Sequence, residues 1–395
     1  MRNAEKLRTN LYSLVIFRNL LEDEVVKKFI TMTESLSLDV SVAVREYSAF
    51  VAELFKSTTN LSDYILKLVL EDENFYMLKS SVKEKMDDTI EECLVNELRI
   101  LEGISQVSSA SIKIQIAYSS FMVDWKTTDY DFVKIYRKRL EEIPLHGYGI
   151  FAKYSTFMIK DNKIVPVKNP DKICLDDLIG YEMERQEIIE NTLALLEGKP
   201  AANVLLYGDN GTGKSSSVKA IANEYMHKGL RLIELRKNQL RLIPDLLDDL
   251  NFNPLKFILF IDDLSFTKND DDFAALKAIL EGSVSAKSQN LVIYATSNRR
   301  HLVKESFSDR DGDELHASDT IEEMISLSTR FGLTVTFSKP DKRKFIEVLE
   351  GLAKQYKIKM DIDRLIDKAE AYALSRGGRS PRIAKQFIEK LKSEE

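Results

Sequence analysis

The eleven residues "YGDNGTGKSSS", Tyr207 to Ser217, constrain this chain more than any other stretch. They place three glycines, a lysine and three serines behind the apolar run "NVLL" and ahead of a helical pattern, "SSVKAIANEYM". Glycines let the backbone turn successive N–H groups inward, and a helix beginning at the same point adds the positive end of its dipole. The spacing is G-x-x-x-x-G-K-[ST], with Gly208, Gly213, Lys214 and Ser215 at the defining positions. Strand, loop and helix together predict an anion cradle built from Gly208, Asp209, Asn210, Gly211, Thr212, Gly213, Lys214, Ser215 and Ser216. Lys214 would reach the β- and γ-phosphates of a nucleotide, and the Ser215 hydroxyl would ligate a magnesium ion bridging them.

A magnesium nucleotide also needs carboxylates at the end of a nearby strand. The run "FILFIDDLS" supplies Asp262 and Asp263 after its apolar residues. Asp262 would hold the metal through water, and Asp263 could orient or deprotonate an attacking water. Acidic pairs that end strands also occur as solvated turn residues, so position relative to the glycine loop carries the assignment.

The surrounding pattern predicts an α/β domain. Apolar runs "NVLLY", "LRLIEL", "FILFID", "LVIYATSN" and "LTVTFS" alternate with helical patterns, as in a largely parallel sheet buried on both faces. Upstream, no proline occurs before Pro144 and Gly103 is the only glycine, so that region is free to be helical throughout. Leu14, Phe17, Leu21, Val25 and Phe29 recur at helical spacing, as do Ile90, Leu94, Leu98 and Leu101. The aromatic stretch "YSSFMVDWKTTDYDFVKIYRKRL" could stack nucleic-acid bases, but burial preference favours core. The expected organisation is an all-α N-terminal domain over 1–143 and a linker with a short hairpin about the turn "KDNK" over 144–170. An α/β nucleotide-binding domain over 171–338 and a helical segment over 339–395 follow.

Composition excludes several classes. A chain of 395 residues, 44% hydrophobic and 30% charged, is long enough for more than one buried core and is not biased towards disorder. Cys93 and Cys174 have neither metal-ligand nor disulfide-scaffold spacing and read as core thiols in a reducing compartment. No apolar run approaches the roughly 20 residues that span a bilayer, which predicts a cytoplasmic protein without a membrane partner. A net charge of -6 argues against a large basic face but leaves room for a local one.

The order of phosphate loop, acidic strand end, "YATSN", "STRF" and a helical segment containing "GGRSPRIA" resembles the AAA+ ATPases from about Asp171 to Glu395. More narrowly, "NVLLYGDNGTGKSS", "FIDDLSF", "YATSNRRHL" and "GGRSPRIAKQF" look like the bacterial AAA+ family known as domain of unknown function 815. The resemblance implies a parallel five-stranded sheet and a C-terminal helical lid. It implies that Asn298 is a first sensor near the γ-phosphate, that Arg330 is an arginine finger serving a neighbouring subunit, and that Arg382 is a second sensor. It also puts Ile179, in "LDDLIGYEMERQEI", beside adenine. Asp263 departs from the pattern, since most active AAA+ enzymes carry glutamate there and aspartate is one methylene shorter. The implied protein is a homo-oligomeric ATPase that takes ATP and Mg2+ and remodels or loads an unknown protein or nucleic-acid target. Its rivals are a helicase-loader-like DNA-handling ATPase and a slowly hydrolysing binding switch. "RRHL" and the acidic loop 305–323 read as solvated connection or as a partner-docking loop.

Overall fold

Side-chain caps cut the proline-free N-terminal region into separate helices. In the computed structural model, which describes residues 2–264, 271–280, 289–298 and 329–394, the side chains of Asp23, Asp39, Asn60 and Asp87 accept first-turn N–H groups. They open the helices Glu24–Ser35, Val40–Phe55, Leu61–Glu71 and Asp88–Ser105. "RRHL" and the acidic loop 305–323 lie outside the described residues.

Two compact units result, Met1–Lys153 and Tyr154–Glu395. The described part of the first is helical, around a core in which Trp125 packs edge-on against Phe50 at 5.1 Å and Phe17 against Tyr136 at 5.4 Å. The buried Glu97 carboxylate accepts the backbone N–H groups of Val15, Ile16 and Phe17 and so ties the first loop to the long helix. Trp125, Phe132 and Tyr136 of the aromatic stretch are buried as expected, but Tyr118 and Phe121 are exposed, the latter by 87%. Cys93 is half-buried, whereas Cys174 is exposed rather than a core thiol.

The second unit is built on one sheet. Its strands are β1 (Thr156–Lys160), β2 (Lys163–Pro166), β3 (Val204–Gly208), β4 (Leu230–Leu235), β5 (Lys256–Ile261), β6 (Leu291–Ser297) and β7 (Leu333–Phe337), in the order β2-β1-β4-β5-β6-β3-β7. Among the described residues the sheet is therefore seven-stranded, not five-stranded. The hairpin turns at Asp161 and Asn162, both left-handed, and its first strand pairs parallel to β4 through Thr156–Leu232, Phe157–Ile233 and Met158–Glu234. β4 would otherwise present a row of unpaired backbone groups, and the two added strands cover it. All pairings except β1–β2 are parallel. Helices lie against the sheet, and the central strands are buried without alternation: every residue of β6 and all but the first of β5 are inside.

Three helices, Lys342–Tyr356, Ile362–Ser375 and Pro381–Glu394, close the chain around Phe345, Leu349, Leu365, Phe387 and Ile388. Among the described residues no helix is long and apolar enough to cross a membrane.

Candidate nucleotide site

Because β3, β5 and β6 run parallel, their C-terminal ends open on one edge of the sheet, where ligands of open α/β folds collect. β3 delivers the glycine loop, β5 delivers Asp262 and Asp263, and β6 delivers Asn298. Residues far apart in sequence thus meet through sheet order alone.

Gly208 is where β3 leaves the sheet, at φ 137°, and a Cβ there would lie 2.0 Å from the Phe337 carbonyl oxygen of β7. No larger residue fits. Beyond it, the Asp209 carboxylate accepts the Lys339 N–H at 2.9 Å and the Thr212 hydroxyl donates to the Asp209 carbonyl at 2.9 Å, which fastens the loop to the end of β7 and to itself. The helix Lys214–Tyr225 follows Gly213 with no side-chain cap, so its first-turn N–H groups are left for a ligand.

Lys214 is 5% exposed, and its ammonium donates to the Gly208 and Asp209 carbonyls at 2.9 and 2.7 Å. Burial pushes its pKa down, while Asp209, Asp262 and Asp263 oppose that shift. Beside it the Ser215 hydroxyl donates to Asp262 Oδ1 at 2.5 Å. Asp263 adopts a left-handed φ of 54°, which costs an aspartate about 1–2 kcal/mol and redirects the chain just past β5. On a continuing strand the two neighbouring carboxylates would point to opposite faces. Here both meet β6: Thr296 Oγ1 donates to Asp262 Oδ1 at 2.6 Å, and Asn298 Nδ2 donates to Asp263 Oδ1 at 2.5 Å.

Arg382 sits in the first turn of Pro381–Glu394, and its backbone N–H donates to the Gly211 carbonyl at 3.1 Å. A second helix N-terminus therefore abuts the loop. On this side a cavity of ≈ 170 Å³ is walled by Ile179, Val348, Leu352, Gly213 and Arg382. Ile179 leans on the helix Lys342–Tyr356 at Gly351, where a Cβ would approach its Cγ2 to 2.5 Å.

Arg330 is not brought to this loop. β7 pairs with β3 from Leu333–Val204 to Phe337–Gly208, so the loop lies at the Phe337 end and Arg330 precedes the opposite end. Leu333 and Phe337 are four residue steps apart, which puts about 13 Å between the two ends.

Three further residues shape the site, and sequence reasoning did not find them. Thr296 touches both aspartates through its hydroxyl and its position in "YATSN", two before Asn298, is the only local sign of it. Arg185, 7% exposed, donates its guanidinium to the Gly180 carbonyl and, at 2.7 Å, to that of Leu178, holding the segment that carries Ile179. It sits among charges in "MERQE" and reads there as a solvated face. Gly351 interrupts a helical pattern, a sign of packing need that could have been used. Gly351→Ala should gain helix propensity, worth about 1 kcal/mol, yet displace Ile179. The expected result is unchanged or raised melting temperature with about three- to tenfold weaker nucleotide binding by fluorescence titration, roughly the loss of one methyl-sized fit. Wild-type affinity in that variant would remove Ile179 from the binding wall.

A strand-loop-helix phosphate cradle with two strand-end carboxylates beside it in one parallel sheet defines a P-loop nucleotide-binding fold. A family model described as a protein of unknown function, DUF815, matches residues 152–395, and the chain belongs to that family. A replication factor C large subunit from Staphylothermus marinus is 37% identical over 73 residues, which cover 18% of this chain and 16% of that protein. Among solved structures, the Thermotoga maritima RuvB Holliday junction branch migration motor aligns at 18% identity and TM-score 0.38, over 56% of this chain and 64% of its own. A point variant of the same motor aligns at 17% and 0.37, over 56% and 65%. The chain thus spans less than two thirds of each of these relatives.

Proposed function

We propose that this protein binds ATP with magnesium and hydrolyses it to ADP and phosphate, as a homo-oligomer whose nucleotide cycle acts on a protein or nucleic-acid target. The observation that carries this reading is the meeting of Lys214, Ser215 and Asp262 at one sheet edge, with Ser215 and Asp262 2.5 Å apart. A hydroxyl and a carboxylate are hard oxygen donors suited to magnesium.

Magnesium, when bound, would neutralise charge on the phosphoryl oxygens. The chain's own groups do the remainder. Loop amides and Lys214 hold the phosphates, Ile179 flanks the base, Arg382 faces the phosphate chain, and Asp263 with Asn298 orients a water. The Lys214 ammonium needs only to exchange two carbonyl acceptors for phosphate oxygens, which are stronger because they are charged.

One observation favours a slow switch as the second reading: Asp263 is short and already engaged by Asn298 at 2.5 Å. Asp263→Asn should keep magnesium-dependent ATP binding and lose phosphate release by a hundredfold or more, roughly the usual scale of a general base. Asp262→Asn should weaken the magnesium dependence itself. Phosphate release and titration of a fluorescent ATP analogue separate the two. Equal hydrolysis by wild type and Asp263→Asn would make that carboxylate structural, and tight ATP binding with almost no release by wild type would select the switch.

A further inference from the structure

We infer that Thr296 is the positioning residue that sets both strand-end carboxylates at once, linking the metal-holding aspartate to the water-orienting one; this rests on the ATPase reading above. Thr296 lies on β6 opposite Leu206 of β3, while Ala295, one residue earlier, faces Ile261, the last residue of β5. It therefore stands between the strand that feeds the phosphate loop and the strand that feeds the aspartates. The residue is 2% exposed.

Its hydroxyl acts in both directions. Oγ1 donates to Asp262 Oδ1 at 2.6 Å and accepts the backbone N–H of Asp263 at 2.9 Å. Its carbonyl accepts the Leu264 N–H at 2.7 Å. Asp262 Oδ1 thus receives two hydroxyl protons, from Thr296 and Ser215, and among the described residues none donates to its Oδ2, which would face a hydrated cation. Asp263 is held by its N–H in the left-handed conformation that turns its side chain towards Asn298.

Few side chains meet these demands. A hydroxyl donates and accepts strongly through one atom, and β-branching leaves few χ1 rotamers to choose from inside a strand. Valine has the same shape and neither capacity. Asn298, the first residue past β6, donates to Asp263 Oδ1 at 2.5 Å, so β6 and its end address both carboxylates.

The test compares wild type with Thr296→Val and Thr296→Ser, titrating a fluorescent ATP analogue with magnesium and with EDTA, and following phosphate release. Loss of a hydrogen bond to a charged group should cut the magnesium-dependent gain in affinity by about tenfold or more in Thr296→Val. Affinity in EDTA should stay at the wild-type value, and phosphate release should fall with the lost gain. Thr296→Ser should recover most of both. If the valine variant does not fold, Thr296→Ala carries the same expectation. A valine or alanine variant with the full magnesium gain and wild-type turnover overturns the assignment. So does an equal loss of affinity with and without magnesium, which marks a merely structural role. Wild type that shows no magnesium gain at all overturns the ATPase reading and this inference together, which distinguishes that failure from the others.

Discussion

Lys214→Ala should abolish the stabilisation that ATP and magnesium confer on the wild-type protein, while leaving the apo protein folded. A ligand bound only to the native state stabilises it by RT ln(1 + [L]/Kd), about 2.7 kcal/mol at a hundredfold excess over Kd. At about 2–4 °C per kcal/mol for units of roughly this size, the wild-type shift is about 5–10 °C. The lysine's contribution is asymmetric between the two states. In the apo protein its buried ammonium gives up hydration and receives two neutral carbonyls in return, a near balance. In the complex it would face charged phosphate oxygens in the same buried setting, where charge-assisted hydrogen bonds are about twice as strong. Alanine removes the second gain and much less of the first. A scanning melt of both proteins, with and without magnesium ATP, reads the difference directly. A full shift in Lys214→Ala would mean that nucleotide, if bound, sits elsewhere than the loop.

What could be read in the sequence was what lies within one segment or follows from a strand's apolar run. The glycine loop is contiguous, so Gly208, Gly213, Lys214 and Ser215 are recognisable from spacing. Asp262 and Asp263 are recognisable because a strand that buried must end somewhere, and ends of strands carry sites. The contacts that assemble them are long-range. Thr296 reaches the aspartates only because β6 lies between β3 and β5, and no local pattern encodes that order. Arg185 looks like any helical surface charge until the segment Leu178–Gly180 folds over its guanidinium. The hairpin was visible from alternation about Asp161 and Asn162, but its docking on β4 depends on an edge that only the assembled sheet exposes. Phe121 fails in the other direction: burial preference is a statistical statement about phenylalanine, and this one is exposed.

Arg330→Ala should nearly abolish turnover, and the loss should be repairable in trans. The sheet geometry motivates the second half of that statement. Arg330 precedes the end of β7 opposite to the loop, an end that lies about 13 Å along the strand from Phe337, so service to this chain's own phosphate site would require it to cross the sheet edge. In a head-to-tail assembly each subunit offers the same surface to the next, and a residue remote from its own site can reach the neighbour's. An arginine placed on a transferring phosphoryl group is worth about a thousandfold or more in rate. Activity per chain should therefore rise with protein concentration until the assembly saturates. Mixing Arg330→Ala chains with Lys214→Ala chains should restore part of the turnover, since some interfaces then join an intact loop to an intact arginine. Each variant alone should stay nearly inert. Co-assembly is verified by light scattering on the same mixture. Turnover per chain that is independent of concentration, together with a dead mixture of chains that do co-assemble, would show that Arg330 does not act across a subunit interface.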